Sequence, residues 1–285
     1  MGCSVSLDPS TSPDTMWLCG VFYSSQGVVL SGLDATGASG QDQKAMKDST
    51  GAHMVKAAMY NARPQASSGA GYGACILASP NTHYGVVVWK ASSSSNPISL
   101  SWSRTYYTNY AGSDQPQNVC MPVCDSEGNV YVAYRTKLLS IGADPEVYCC
   151  IILSWDSSGT FRWARRISLI GTGSEFTYDD RPTLKVTDND SLTFMTTGKI
   201  TYSGSDHDAA FICRLPSDGS GYDNGSAYSL SGSYTTTASL WYTEVEAGRG
   251  FTEAAYSWQT VTDTETFTYD SSDVMGSIGT SSTVL

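Results

Sequence analysis

CDSEGNVYVAYRT, residues 124–136, is an Asp-x-x-Gly turn leading into an alternating, strand-like run. The same form recurs along the chain. It is seen in TDNDSLTFMTTGK (187–199), LDPSTSPDTMWLCGVFY (7–23) and ASSGAGYGACILA (66–78), and more weakly in VEAGRGFTEAAYSW (245–258). The five turns centre near residues 10, 67, 126, 189 and 248, about sixty residues apart. A second series keeps step with the first. CIILSWDSSGTFRWARRISLIG (150–171) shows an apolar run, a polar turn and a second strand-like run. GVVLSGLDATGASGQDQKAMKDSTG (27–51), GVVVWKASSSSNPISLSWSRTYYTN (85–109) and AAFICRLPSDGSGYDNGSAYSLSG (209–232) line up with it.

Two phase-locked turn series make each unit a pair of hairpins, that is, four strands. Strand A is short and apolar (NVCMPVC, TLKVT). Strand B alternates (NVYVAYRT), which predicts one buried and one open face. Strand C is almost wholly apolar (CCIILSW) and is expected to be covered on both faces. Strand D is mixed (TFRWARR) and is expected at an edge. Asp, Asn and Gly at the turns accept the positive φ that tight connections require. Four-stranded units at this spacing predict an all-β, propeller-like domain of four to five blades over residues 1–258. A stacked pair of β-sandwiches is the main competing architecture. Residues 259–285 are expected to form a Thr/Ser-rich acidic arm. Between Glu244 and Asp273 there are seven acidic residues against one basic, Arg249.

Composition points the same way. Ser and Thr supply 72 of the 285 residues, with 27 Gly and 18 Tyr, and only 15% are charged. Those are poor-to-middling helix formers, while 40% hydrophobic residues suffice for a core. A net charge of −11 disfavours a nucleic-acid partner, and no run approaches the length of a membrane-spanning helix. The start, MGCSVSLDPS, lacks the features of a secretory signal. It matches an N-myristoylation pattern through Gly2 and Ser6, with Cys3 as a second acyl site, but the pattern is short and the next residues read as β structure, so an unmodified start is expected. Cys19, Cys75, Cys149, Cys150 and Cys213 lie in apolar runs, where reduced, structural thiols are expected. Cys120 and Cys124 lack a second pair at zinc spacing, so no metal or cofactor is expected.

DSEGNVYVAYRT and IILSWDSSGTFRWAR resemble the SBBP-type β-propeller repeat through Asp125, Gly128, Asn129, Tyr131, Asp156, Gly159 and Trp163. Trp102 matches Trp163 in one further unit, and the remaining units lack it. The resemblance implies a propeller used as a binding or structural scaffold, as in bacterial surface proteins and structural proteins of tailed phages. The function expected from it is a non-enzymatic structural or adhesion component of a virion, assembled in the host cytoplasm with other tail proteins and as a homo-oligomer. A lectin-like module at a cell surface, binding host glycans, and a propeller glycosidase are the alternatives.

Catalytic groupings are sparse. His53, His83 and His207 stand apart, with no metal-binding spacing. Asp188-Asn189-Asp190 lacks the Gly and distal Glu of a calcium loop and reads better as a turn. Glu244 and Glu246 are the one close carboxylate pair that a glycosidase reading can use. The longer B–C and D–A connections carry Tyr84, Tyr106, Tyr107, Tyr110, Tyr178, Asp180 and Tyr202, the expected ligand-binding set. Tyrosines capping the blade edges account for them equally well. Arg162, Arg165 and Arg166 are expected on an outer strand, meeting an acidic neighbouring blade or subunit.

Overall fold

The computed structural model describes residues 3–8, 15–21, 27–34, 40–48, 54–61, 70–78, 84–92, 99–108, 116–138, 147–170, 175–176, 181–187, 189–202, 205–220, 227–229, 239–244, 251–255 and 258–260. Every regular element in them is a β-strand, and every strand pairing is antiparallel.

The strands fall into four sheets, in step with the sequence repeat. Sheet 1 is a meander of β1 (Cys3–Asp8), β2 (Thr15–Val21), β3 (Gly27–Asp34) and β4 (Gly40–Asp48). Sheet 2 repeats it with β5 (Met54–Asn61), β6 (Ala70–Ala78), β7 (Tyr84–Ser92) and β8 (Ser99–Thr108). In sheet 3 the first strand is split into β9 (Pro116–Val119) and β10 (Val123–Cys124). Both pair with β11 (Val130–Leu138), which is followed by β12 (Val147–Trp155) and β13 (Phe161–Ile170). Sheet 4 holds β14 (Glu175–Phe176) and β15 (Thr183–Val186), both on β16 (Leu192–Tyr202), which pairs on with β17 (Ser205–Leu215).

The expected fifth unit does not build a sheet among the described residues. The chain after sheet 4 instead forms β18 (Ala227–Ser229), β19 (Ser239–Glu244), β20 (Phe251–Ala255) and β21 (Trp258–Thr260). β19 pairs with β13, β20 with β8 and β21 with β4, so the chain runs back over sheets 3, 2 and 1 in reverse order. The fourth strand of each of those sheets is therefore not the edge that its mixed sequence suggested. An open strand presents a row of unpaired N–H and C=O groups, and the returning chain fills it. β21 crosses the expected boundary at residues 258–259, and residues 261–285 of the expected arm lie outside the described residues.

Successive sheets stack face to face. β5 packs against β1, β2 and β3; β9 against β5, β6 and β7; and β15 against β10 and β11. One continuous core joins sheets 2, 3 and 4, from Tyr72, Ile76 and Val88 through Tyr131, Ile152 and Trp163 to Leu184, Phe194 and Phe211. The third strands β7 and β12 are buried along their central residues on both faces, as their apolar sequences require. β11 is too, although its alternation predicted one open face. Tyr131 and Arg135 on the sheet 4 side are as buried as Val132 and Tyr134 on the sheet 2 side. Sandwiching between two sheets overrides the alternation, and the polar tips find partners inside. Arg135 Nη2 donates to Thr197 O at 3.3 Å.

Candidate functional site

The residues that repeat along the sequence meet at one end of sheets 3 and 4. In sheet 3 the β10–β11 and β12–β13 turns lie at the same end, because consecutive strands are antiparallel. Gly128 (φ 82°) and Gly159 (φ 84°) hold the left-handed position of these turns, as Gly219 (φ 75°) does after β17. Their backbone bonds match: Gly128 N–H donates to Asp125 O, Gly159 N–H to Asp156 O and Gly219 N–H to Pro216 O. Between β15 and β16 the position is taken by Asp190 (φ 55°), whose N–H donates to Thr187 O. Asn189-Asp190 is thus a strand-joining turn; the side chain and placement of Asp188 lie outside the described residues.

Asp125 is buried, and its carboxylate organises the β10–β11 turn. It accepts from Glu127 N (3.1 Å), Asn129 N (2.8 Å), Asn129 Nδ2 (2.8 Å) and the Tyr131 hydroxyl (2.6 Å). Arg162 Nη1 donates to the Tyr131 oxygen at 2.9 Å. Burial, with the Asp125 hydrogen bond second, pushes the Tyr131 phenol well above its ordinary pKa. The phenol stays neutral and acts as a donor. Ser126 then reaches the next sheet, its N–H and hydroxyl donating to the Asp190 carboxylate at 3.1 and 2.6 Å.

A second device joins the sheets. The Trp102 indole N–H donates to Ser157 O (3.1 Å), and Arg104 Nε donates to Gly159 O (2.8 Å), tying β8 of sheet 2 to the β12–β13 turn of sheet 3. About sixty residues on, the Trp163 indole donates to Ser217 O (3.2 Å) and Arg165 Nε to Gly219 O (2.8 Å), tying β13 to the turn after β17. In both copies the indole lies flat on the turn glycine. A Cβ on Gly159 would stand 2.8 Å from Trp102 Cγ, and one on Gly219 2.7 Å from Trp163 Cγ. Trp-x-Arg on one sheet thus latches the turn of the next, and only glycine leaves room for it.

These bonds relocate the arginine cluster. Arg162 and Arg165 project toward sheet 4 and serve the turn and the latch, whereas Arg166 is buried on the alternate face of β13. The three do not converge on one partner. Nor does the expected tyrosine set lie together among the described side chains. Tyr106 is buried in the core between sheets 2 and 3, stacked on Phe161 with centroids 5.7 Å apart, and burial raises its pKa. Tyr107 is half-buried on β8. Tyr84 and Tyr202 are placed by their strands, β7 and β16, without a description of their side chains; Tyr110, Tyr178 and Asp180 lie outside the described residues. Glu244 falls on β19 opposite Arg165, and Glu246 lies outside the described residues.

The cysteine side chains that are described are free thiols, buried at Cys19, Cys75, Cys120, Cys149 and Cys150 and half-buried at Cys124 and Cys213. Burial pushes Cys120 and Cys150 up to about 12. Among the described residues no group of three or more His, Cys, Asp or Glu is arranged to hold a metal ion. No helix of the described residues is long and apolar enough to cross a membrane.

Sheet 4 supplies the surface that sequence reasoning missed. One of its faces packs Leu184, Leu192, Phe194, Phe211 and Leu215 against sheet 3. The other is open, with Met195 42% and Ile212 69% exposed at directly paired positions. The signal was present in SDHDAAFICRL, which alternates where the third strands of the inner sheets do not. In comparisons with known proteins, no protein-family model, curated protein or solved structure matches this chain.

Proposed function

We propose that the chain is a non-enzymatic structural or adhesion component of a tailed-phage virion, a tail or tail-fibre part whose four sheets stack as propeller-like blades. One observation carries the scaffold reading. The repeated polar residues, Asp125, Asn129 and Tyr131 with the two Trp-x-Arg latches, are engaged in shaping turns and joining one sheet to the next. Asp125, Asn129, Tyr131 and Trp163 are among the positions on which the resemblance to the SBBP-type repeat rests, and Trp102 matches Trp163. A residue fully engaged in cross-sheet bonding supplies rigidity, which favours display and assembly over turnover. The placement in a phage particle is drawn from that resemblance.

The test is direct. Density-gradient-purified particles carrying this gene should contain the chain at many copies each, measured by quantitative mass spectrometry. Absence from particles would sink the virion reading. Saturable glycan binding by a chain absent from particles would favour the lectin-like alternative.

A further inference from the structure

The open face of sheet 4 is patterned along its strands. Lys185, Thr193 and Arg214 form a basic row at one end, in register with one another. The next row is Thr183, Met195 and Ile212, then Thr197 and Ala210, then Lys199 and Asp208, with Asp206 beyond. Lys185, Met195, Lys199, Asp206, Asp208, Ala210, Ile212 and Arg214 are all exposed. Along β17 the face thus runs from basic (Arg214) through apolar (Ile212, Ala210) to acidic (Asp208, Asp206), with Lys199 of β16 beside Asp208. In sheet 3 the corresponding face, with Ala133 and Ile152 at the centre, is covered by sheet 4. A terminal repeat that simply ended in water would carry a polar outer face; this one keeps Met195 and Ile212 at its centre.

We propose that this face is the interface between two copies of the chain, packed sheet on sheet about a two-fold axis that runs across the strands level with Phe211. That operation reverses strand direction, so it lays Ile212 of one copy on Ala210 of the other and Arg214 over Asp208. An isologous contact must be self-complementary, and a charge gradient with an apolar middle meets that condition. β17 has 11 residues. At about 3.4 Å per residue and 4.8 Å between strands, the three-strand face offers roughly 400–500 Å² per copy. Both copies together bury about 900 Å², below the roughly 1,200 Å² of a standard specific interface and in the range of weak, transient contacts, so the dimer is expected to be concentration-dependent. This names the surface for the multimeric scaffold above, but it stands on the face itself. A dimer that forms in solution while the chain is absent from particles would refute the virion reading and leave this one intact.

Sedimentation velocity of the full chain across about 1–100 µM should show a monomer giving way to a dimer. Ile212→Asp should shift that transition at least about tenfold upward in concentration. Two charge variants decide the geometry. Asp206→Lys with Asp208→Lys, and Arg214→Glu with Lys185→Glu, should each abolish self-association. Mixed in equal amounts, they should recover a heterodimer, weakened by high salt. That rescue also establishes that both variants fold. A monomer at every concentration overturns the proposal, as expected if the face is closed within the chain or by another protein. A dimer insensitive to the charge variants overturns it as well.

Discussion

Gly159→Ala puts the latch to its sharpest test. Two costs are built into the position. With φ at 84°, a residue bearing Cβ enters the left-handed region, at about 1–2 kcal/mol. The new Cβ would also stand 2.8 Å from Cγ and Cδ2 of Trp102, so the indole has to retreat. Ordinary carbon contacts lie at about 3.5–4.0 Å, which requires a shift of roughly 1 Å. Such a shift strains the 3.1 Å bond from the indole N–H to Ser157 O, and that bond contributes about 1 kcal/mol. The total is about 2–3 kcal/mol.

A double-mutant cycle separates the two costs. Trp102→Ala alone should destabilise by about 3–5 kcal/mol, since the ring is nearly buried. In that background Gly159→Ala should retain only its backbone cost of about 1–2 kcal/mol, which leaves a coupling of about 1 kcal/mol. Urea unfolding followed by tryptophan fluorescence and far-ultraviolet circular dichroism gives the numbers, provided the two transitions coincide. The Gly219–Trp163 pair should return the same coupling, because its geometry is the same. If Gly159→Ala stays within about 0.5 kcal/mol of the parent, or costs as much without Trp102 as with it, the latch is not a stabilising contact.

Asp125→Ala removes the acceptor of four hydrogen bonds at a buried site and should destabilise by about 2–4 kcal/mol, read as a fall in Tm. Acid should weaken the turns. Burial raises the Asp156 pKa, but hydrogen bonds from the Ser158 hydroxyl and from the Thr160 and Ser158 N–H groups outweigh it and hold the carboxyl below its usual 3.8. The Ser220 hydroxyl and N–H depress Asp218 in the same direction. The folded state therefore binds fewer protons than the unfolded chain. This contribution is present above about pH 4 and lost as pH falls through the depressed values. It is small at such exposed groups and should vanish from Tm–pH curves in Asp156→Asn with Asp218→Asn. A chain ending at residue 238 loses β19, β20 and β21 and uncovers β13, β8 and β4. It should associate edge to edge, with light scattering rising where the full chain stays clear, and a peptide of residues 239–260 should suppress the rise.

The sequence repeat located the sheets because turn chemistry is local. Asp125 with Gly128 and Asp156 with Gly159 announce their turns within four residues, and the expected hairpins fall where sheets 1 to 3 have them, but in sheet 4 only the first does: the run after β17 is β18, which pairs with β19 in sheet 3. What failed was whatever depends on neighbours in space. The returning strands β19 to β21 read as a fifth unit, because a strand that completes another sheet's edge obeys the same local rules as one that begins a new sheet. Arg165 reaches the Gly219 carbonyl of the next sheet, and nothing near it in sequence shows that this turn lies within reach. Position in the stack is equally invisible. Ile76 and Arg135 occupy matching places on β6 and β11, one apolar and one charged, and both are wholly buried.

The latches also give the stack a direction, and with it an uneven stiffness. Each described latch runs forward, from the fourth strand of one sheet to the turn that follows the third strand of the next. The fourth strand of sheet 1, GQDQKAMKD, holds neither Trp nor Arg, so it cannot grip sheet 2 in this way. Sheet 1 meets sheet 2 through β5 against β1, β2 and β3, without that indole and guanidinium pair. Sheets 2 to 4 should then open together at high free energy, and sheet 1 more readily. Native-state hydrogen exchange reads this out strand by strand. The slowest amides should lie in β7, β11 and β12, which are covered on both faces, and sheet 1 should exchange well before them. Trp102→Ala should move β7 toward the faster class while leaving β12, still latched through Trp163, largely protected. Sheet 1 exchanging as slowly as β12 would show that strand packing alone holds the joint, and that the latch sets register between sheets and not their stability.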